Sequence, residues 1–557
     1  MARCLVGLAA IAAIFGVALT QGSEEPLVAS PVRMSRESSF YSEPFYLELQ
    51  CDAGEIRYTL DATEPDESSP LYTGPIYIDD ASGHENVYSL IDDVCVDLNP
   101  ELLQSVGMTP RYCYQKPTQP VDKATVVRAV CIGPMGNRSE VVNGVFFVGF
   151  DRKEAYDGVN IITITTNPEN LFDYDDGIYV LGKTFGETLV DGVPAGPVDN
   201  NIGTWPGNYK NKGKAWEREA QINFFNADRE LVLSGNYGIR IQGGASRSML
   251  PKSLNIFARS RYGSESIPTA ALFGEDWQLH SLNLNAGGQG IDTKVHDYLV
   301  NSLVGDMNVL TREYVPYVLF LDGEFWGVYW LTPRFKEDYF ENKYQIPDGD
   351  VITTKVDYTD VGDWDEYRYL ERIQYLIGDR DLSDPQVWQQ LCEAVDIDSW
   401  IDYYAIELYV VNTDWPKNNR ALWRTRRSYD VPGADQKWRW IMFDVNLAMG
   451  LKQVNEDYVA TTEAKDAVFA SLMESPTFES ALRAKLVSLA ENNFAPDRVE
   501  ALVEAYRLKM GGAMEKEYAR FREGRTRQDF DDACRDIEDF FRLRHDYIME
   551  KYGGNVE

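Results

Sequence analysis

The chain has 557 residues, more than one ordinary domain contains, so its length predicts two domains. Apolar residues make up 44% of the chain, which excludes a mostly disordered protein. Lysine and arginine number 54 against 88 aspartates and glutamates, and the resulting net charge of −34 produces a surface that repels nucleic acid and acidic membranes. We expect a folded protein that does not bind nucleic acid.

The first 22 residues have the pattern of a secretory signal peptide. One positive charge, at Arg3, precedes an apolar run from Leu5 to Leu19, and the segment ends in small and polar residues at Gly22. This run is too short for a comfortable membrane span, and no later segment reaches the required length. We expect a secreted, extracellular protein without a membrane span, whose signal peptide is followed by a polar linker over residues 23–33.

Six cysteines remain after the predicted signal peptide, and an even number suits disulfide formation in an oxidising compartment. Six cysteines allow fifteen connectivities, and no Cys-x-x-Cys spacing indicates zinc. We expect the pairing that keeps each bridge within one domain, which joins Cys51 to Cys131, Cys95 to Cys113, and Cys392 to Cys534.

Residues 34–150 show short alternating strands separated by turn residues. Ile56, Tyr58 and Leu60 alternate, residues 61–69 are rich in turn formers, and residues 126–131 form a second clear strand pattern. This spacing predicts a small β-sandwich. From residue 151 to residue 557 the pattern changes to mixed α and β, and it is mostly helical beyond residue 467.

Two apolar strand patterns flank a glycine-containing turn in this second part. Gly243 and Gly244 allow a close backbone approach, and Ser246 and Arg247 lie where they could reach a phosphate. Lys252, on the following strand, adds a point charge for the same phosphates. The alternative is that the glycines only turn a hairpin.

The sequence predicts a hairpin, a helix and a strand in the segment before Asp444. Asp322-Gly323 is a favoured type I′ pair and predicts a hairpin over residues 317–331. Asp398 can cap a helix whose apolar positions continue to Val411, and this helix delivers Asp414. A strand over residues 437–443 delivers Asp444.

Asp414 and Asp444 suggest nucleotide chemistry. Asp414 is the candidate to accept a proton from an attacking hydroxyl, and Asn418 and Asn419 follow it as a metal-binding amide follows the catalytic acid in kinase-type loops. Asp444, at a strand end, would bind a divalent metal that bridges the phosphates. The alternative is that Asp414 and Asn418 only close a loop after the helix.

Five ordered motifs over residues 160–451 resemble one kinase family. They are residues 238–247 with 251–254, 272–274, 321–329, 414–419 (Asp-Trp-Pro-Lys-Asn-Asn) with 423, and 438–444 with 450. Together they resemble the spore coat protein H (CotH) kinase family. In front of them, residues 58–65 and 69–76 with 127–129 resemble the chitobiase/β-hexosaminidase C-terminal-type module, which is immunoglobulin-like, with Cys95 and Cys113 in an insertion between its strands.

The family resemblance implies an α+β, atypical protein-kinase-like domain over residues 151–557. It implies transfer of the ATP γ-phosphoryl group, with Mg²⁺ or Mn²⁺, to Ser or Thr of secreted or cell-surface proteins. Carried over, Lys252 would contact ATP phosphates, Asp414 would be the catalytic acid, and Asn419 and Asp444 would be metal ligands.

The chain departs from the family pattern at two places. The family usually has a second acid two residues after Asp444, where this chain has Asn446, and often a glutamate where Thr332-Pro333-Arg334 stands. An alternative therefore stays open: a non-catalytic surface or matrix pseudokinase that binds protein, or carbohydrate through the sandwich module.

Overall fold

The structure is a computed structural model that describes residues 30–190, 192–195, 201–288, 290, 292–355, 358–361, 373, 377–378 and 380–555. The predicted signal peptide and the linker up to residue 29 lie outside these residues. The fold is mixed α/β, with an N-terminal β-rich module, a closed barrel and a helical C-terminal part. Within the described ranges, no helix combines the length and apolar character that a membrane crossing requires.

Eight short strands build the N-terminal module. They are β1 (Arg33–Met34), β2 (Ser39–Tyr41), β3 (Phe45–Leu47), β4 (Leu49–Gln50), β5 (Glu55–Thr59), β6 (Ile76–Ile78), β7 (Thr125–Ile132) and β8 (Val142–Val148). One sheet has the order β2-β8-β7-β5, and the pairs β1–β4 and β3–β6 complete the module. Alternate residues of β6 and β7, such as Ile76 and Val127, share one apolar core because strand side chains alternate between faces.

A closed seven-stranded barrel follows the module. The strands from here to the barrel's end are β9 (Asn160–Thr165), β10 (Leu189–Val190), β11 (Val193–Pro194), β12 (Arg218–Phe225), β13 (Leu231–Ile241), β14 (Leu254–Phe257), β15 (Ile267–Pro268), β16 (Gln278–Leu279), β17 (Ser281–Asn285), β18 (Val315–Leu321) and β19 (Glu324–Pro333). The barrel order is β12-β13-β14-β17-β19-β18-β9, and the parallel pair β18–β9 closes it. Asp322 (φ 47°) and Gly323 (φ 90°) form the predicted turn between β18 and β19.

A second sheet and most of the helices follow. The strands β20 (Val351–Lys355), β21 (Tyr358–Val361), β22 (Ala421–Thr425) and β23 (Arg439–Trp440) pair in the order β21-β20-β22-β23. The described α-helices are α1 (Pro100–Ser105), α2 (Glu169–Phe172), α3 (Gly182–Gly186), α4 (Ala270–Phe273), α5 (His296–Leu303), α6 (Glu337–Tyr344), α7 (Pro385–Ala394), α8 (Ile397–Val410), α9 (Tyr458–Glu463), α10 (Ala467–Met473), α11 (Pro476–Glu491), α12 (Pro496–Phe521) and α13 (Arg527–Tyr552).

Helix α8 is buried along nearly its whole length, from Ser399 to Val410. Its N-cap is Asp396, whose side chain accepts a hydrogen bond from the Ser399 amide, so the predicted cap at Asp398 is wrong by two residues. A mostly apolar helix that is buried on all sides belongs in a core, and α8 packs against α11 and β23 there. The chain then turns through the left-handed Val411 (φ 52°) toward Asp414.

Aromatic packing and one carboxylate join the module to the barrel. Phe40 and Phe147 of the module and Phe150 pack edge-to-face on barrel residues Phe225 and Phe320, with ring centroids 4.9–6.0 Å apart. In addition, Glu324 of β19 accepts hydrogen bonds from the amides of Val87 (2.6 Å) and Ser89 (2.8 Å), which lie in the segment between β6 and β7. The module is therefore fixed to the barrel at two places.

One of the three predicted disulfides is present. Cys51 and Cys131 are bonded, which confirms that bridge. The predicted bridges Cys95–Cys113 and Cys392–Cys534 are wrong, because all four thiols are free. Cys95 and Cys534 are buried in apolar clusters, whereas Cys113 is exposed and Cys392 is half-buried, so the sulfurs do not meet. The Cys95 thiol instead donates to the Ser248 carbonyl (3.0 Å).

A buried ion pair joins the barrel to the C-terminal helices. Lys294 Nζ, from the segment before α5, donates to Glu517 Oε2 on α12 (2.7 Å) and to the Val328 carbonyl on β19 (2.8 Å). The Val328 amide in turn donates to Glu517 Oε2 (2.6 Å). Lys294 is only 2% exposed and Glu517 3%, so neither charge can turn to water if its partner is lost.

We expect Lys294→Met to lower the free energy of unfolding by about 3–5 kcal/mol, because it leaves the Glu517 carboxylate buried without its cation. Adding Glu517→Gln should restore most of this loss, since the amide oxygen can still accept from Val328. Urea unfolding of the two single variants and the double variant measures the coupling. As a control, Glu479→Gln breaks the pair with Arg483, whose side chains are 40% and 45% exposed, and should cost below about 1 kcal/mol. Additive losses in the double variant would contradict this role for the pair.

Candidate functional site

A cavity of about 800 Å³ lies between the barrel and the helical part. Residues 242–247, which follow β13, form one wall, and the segments after α8 and β23 form the opposite wall. We call it the main cavity, and its lining includes Gly243, Gly244, Ser246, Arg247, Asp414, Asn418, Asn419 and Asp444. The structure thus brings together every predicted site residue except Lys252. The volume lies within the range of about 300–1,000 Å³ that is typical of small-molecule sites.

The glycine turn is held in place from behind. Gly243 has φ 113°, which suits glycine, and a Cβ there would lie 2.3 Å from Ser246 Oγ. Arg247 Nε donates to the Gly243 carbonyl (2.7 Å), and Lys210 Nζ donates to the Gly244 carbonyl (3.2 Å). Since cationic side chains take up these carbonyl oxygens, the oxygens repel an approaching anion less.

Lys252 lies behind the turn and does not line the main cavity. It is completely buried, its Nζ donates to the Arg247 carbonyl (2.7 Å), and it lies 4.0 Å from the centre of the Tyr209 ring. Burial lowers the pKa of Lys252 to about 7. In this structure the lysine therefore supports the turn and does not reach the place where we predicted phosphates. The sequence pattern places Lys252 on a strand, but it does not show whether the side chain points into the cavity or into the protein interior.

Positive charge is concentrated behind the turn. Burial, and secondarily the Arg247 guanidinium, lower the pKa of Lys210 to about 8. Lys210 and Arg247 also contribute to the lowered pKa of Lys252, after burial, and among the described residues no carboxylate adds to the shift of any of these three groups. An anion bound at the turn would relieve this repulsion between cations.

Asp414 is oriented by the two amides that follow it. Asn418 Nδ2 donates to Asp414 Oδ1 and Asn419 Nδ2 donates to Asp414 Oδ2, both at 2.9 Å. Asn419 was predicted as a metal ligand, and in this arrangement its amide group holds Asp414. The Asn419 side-chain oxygen takes no part in these bonds and is the atom that could face a metal.

Asp444 lies close to Asp414 because two loops are joined. Thr413 Oγ1 donates to the Leu447 carbonyl (2.8 Å), and the Met449 amide donates to the Val410 carbonyl (2.8 Å). Asp444 itself adopts φ 60°, and its Oδ1 accepts from Asn446 Nδ2 (3.0 Å). Burial, and to a smaller degree the Asp414 carboxylate, raise the pKa of Asp444.

Sequence reasoning missed Asp297, on α5. Its Oδ1 accepts from the Val445 amide (2.8 Å), and it lines the main cavity beside Asp444. Burial, followed by the Asp444 carboxylate, raises the pKa of Asp297. An acid in the first turn of a helix usually only stabilises the helix, so no local pattern indicated this role.

Sequence reasoning also missed the cations of the cavity walls. Arg312, Arg334, Lys355 and Arg420 line the main cavity, although they come from separate segments and none of them was predicted as a site residue. Lys355 and Arg312 counteract the rise in the pKa of Asp444. In a strongly acidic protein, these two side chains place positive charge near the carboxylate of Asp444.

The carboxylates fit a metal that arrives with phosphates. Across the described ranges, no three His, Cys, Asp or Glu side chains are arranged to hold a metal ion together. Mg²⁺ commonly takes only one or two carboxylates from a protein and completes its shell with water and phosphate oxygens. Asp414 and Asp444 face the same cavity and can supply those carboxylates.

Comparison with known families agrees with the sequence resemblance. A family model described as CotH kinase protein matches residues 239–548, which confirms the kinase-family resemblance. A second model, described as Fn3 associated, matches residues 47–146, where the chitobiase-type module was expected. No curated protein matches the chain. Because the first match covers more than half of its length, the chain belongs to the CotH kinase protein family.

Proposed function

We propose that this protein is a secreted atypical protein kinase that transfers the ATP γ-phosphoryl group to Ser or Thr of secreted or cell-surface proteins. The observation that carries the proposal is the meeting of the glycine turn with Asp414 and Asp444 across the main cavity. Secretion is supported by the signal-peptide pattern and by the Cys51–Cys131 disulfide, since such bonds persist in oxidising compartments. We infer that the barrel and the helical part act as the two lobes of a protein-kinase-like fold.

Each wall of the main cavity would have its own task. The turn at Gly243 and Gly244 would approach the phosphates, and the cations Arg334 and Lys355 would take the role that the sequence assigned to Lys252. Asp444 would hold Mg²⁺ or Mn²⁺, and such an ion would neutralise charge on the phosphates. Asp414, oriented by its two amides, would accept the proton of the attacking hydroxyl.

A smaller cavity of about 110 Å³ beside the main one supports phosphate binding. Its lining, as far as the described residues form it, contains no carboxylate and includes four cations, namely Arg312, Arg334, Lys336 and Lys355. On a chain of net charge −34, such a group of cations at a cavity favours a polyanionic ligand. ATP carries the required negative charge.

We expect Asp444→Asn to abolish stabilisation by ATP with Mn²⁺, because the variant loses the carboxylate proposed to hold the ion. In the wild type, nucleotide at one hundred times its dissociation constant should stabilise the fold by about 2.7 kcal/mol. Thermal melting with and without ligand measures both. Asp430→Asn removes the same charge from an exposed loop and should melt like the wild type with ligand. An equal shift in all three proteins would overturn the assignment of Asp444.

We expect Asp414→Asn to separate binding from transfer. The variant should keep the ATP–Mn²⁺ melting shift, because Asp444 and the turn are intact. It should transfer labelled γ-phosphate to secreted proteins about 10²- to 10⁴-fold more slowly, the usual contribution of a positioned base. Unchanged transfer would remove Asp414 from the reaction, and loss of the melting shift would instead make it a metal ligand.

Asn446 favours the second candidate, a pseudokinase that binds nucleotide or protein without transfer. It stands where the family resemblance implies a second acid, and its amide donates to Asp444. An amide supplies less charge to a metal than a carboxylate does.

We expect Asn446→Asp to tighten Mn²⁺ binding, because it adds a carboxylate next to Asp444. If the wild type is a kinase, transfer should be measurable before the change and faster after it. Titration of Mn²⁺ against melting temperature and against transfer rate gives both quantities, with Asp430→Asn as the matched reference. Binding without transfer in both the wild type and Asn446→Asp would establish the pseudokinase.

A further inference from the structure

A second cavity, of about 540 Å³, lies between the N-terminal module and the barrel. Among the residues that the structure describes, none lines both this cavity and the main cavity. We call it the intermodule cleft, and the residues used below to define it are Arg128, Glu140 and Asn143 of the module and Thr165, Gln221 and Asn236 of the barrel. Nothing in the proposed phosphoryl transfer uses this cleft.

The barrel wall of the cleft is a row of polar side chains. Gln221 of β12 is paired with Thr165 of β9 on one side and with Asn236 of β13 on the other. The neighbouring residues of these strands, such as Ile164 and Ile222, are buried in the barrel interior. The three polar side chains therefore lie together on the outer face, since strand side chains alternate between faces.

The module wall is polar as well. Arg128 of β7 and Asn143 of β8 are paired across their sheet, and Arg128 Nε donates to Asn143 Oδ1 (2.9 Å). Glu64 and Glu140 line the same side of the cleft. Both walls thus present hydrogen-bonding groups, although they belong to modules that are joined elsewhere by aromatic packing.

The polarity of the cleft is not needed to join the two modules. Phe40, Phe147 and Phe150 already pack on Phe225 and Phe320 of the barrel, and this contact alone buries a large apolar area. A surface used only for docking would gain stability from more apolar residues of this kind. The polar rows next to this aromatic contact therefore indicate binding.

Two polar atoms of the barrel wall have no partner. Thr165 Oγ1 and Gln221 Oε1 are buried and accept or donate no hydrogen bond, and Thr165 is only 3% exposed. Leaving such a group unpaired costs about 1–3 kcal/mol. Because neither atom is open to solvent, a bound molecule would engage them only after rotation of the Thr165 or Gln221 side chain.

The lining of the cleft identifies the class of ligand. Its described residues contribute five side-chain amides, three carboxylates and two guanidinium groups, and the lining is mostly polar. Apolar ligands could form no hydrogen bonds with these groups, and the nearly balanced charge does not favour a polyanion. Each amide both donates and accepts, as does each hydroxyl of a sugar. We propose that the intermodule cleft binds a short, neutral oligosaccharide.

Isothermal titration of the whole protein tests this proposal. The probes are cellotetraose, chitotetraose, maltotetraose and mannotetraose, and we expect at least one of them to bind. Gln221→Ala should weaken that binding about tenfold, or about 1.4 kcal/mol, by removing one buried partner. Asn236→Trp fills the cleft from an exposed strand position and should abolish binding. Gln104→Ala removes an exposed amide on α1, outside the cleft, and should bind like the wild type.

Hydrogen exchange locates the bound sugar independently of affinity. The active tetrasaccharide should slow exchange in residues 140–146 and 218–223, which belong to the two walls, and leave residues 414–419 of the main cavity unchanged. Melting of each variant without sugar shows that it is folded. No binding by any of the four probes, or binding that survives both Gln221→Ala and Asn236→Trp, would overturn the proposal. So would protection confined to the main cavity.

Discussion

The parallel pairing of β18 with β9 closes the barrel, and the rest of the structure depends on the hairpin that this closure holds in place. Strand β19 is buried at every position, and successive residues along it contact different parts of the protein. Glu324 binds the insertion of the module, Val328 meets Lys294 and Glu517, and Phe320 on β18 packs on the module's aromatic rings. Because one hairpin carries all of these contacts, the module and the helical part are positioned relative to the same strands.

The main cavity has an uneven distribution of charge, and each half is unfavourable by itself. Lys210, Arg247 and Lys252 lie together behind the glycine turn, while Asp297 and Asp444 lie together opposite it. Like charges in a partly buried place raise the free energy of the folded state. Phosphates at the glycine turn, in front of the first group, and a divalent cation at the second group would relieve both at once. This complementarity is a physical reason to prefer a nucleotide over a neutral ligand in this cavity.

Local patterns in the sequence predicted what depends on local chemistry. The hairpin turn at Asp322-Gly323 follows from residues that tolerate positive φ, and Asp414 and Asp444 follow from acids at the ends of strongly apolar elements. The closure of the barrel left no local sign, because β9 and β18 are about 150 residues apart in the chain. The burial of Lys252 and the approach of Asp297 depend on the same long-range packing.

The wrong disulfides have a similar cause. Pairing cysteines within a domain is a reasonable rule for disulfide connectivity, but it does not predict how deeply each cysteine is buried. Cys95 and Cys534 are enclosed in apolar clusters. The N-cap of α8 shows a different kind of error, because the sequence predicted the right residue type, an aspartate, at the wrong position. Asp396 and Asp398 are equally good caps in composition, and only the packing of α8 decides between them.

The intermodule cleft borders strand β13 and the main cavity borders the turn that follows this strand, which limits how strongly the two cavities can influence each other. Asn236 lies in the intermodule cleft and Gly243, just beyond the end of β13, lies in the main cavity. The five residues of extended strand from Asn236 to Ile241, at about 3.3 Å each, place the cleft roughly 17 Å from the end of β13. Strand β13 is hydrogen-bonded to β12 on one side and β14 on the other, so it cannot slide to carry a signal without breaking both ladders. We therefore expect occupancy of one cavity to leave the affinity of the other nearly unchanged. Coupling would require a two-state element that both ligands bias, and a strand paired on both sides in a closed barrel is a poor candidate for one.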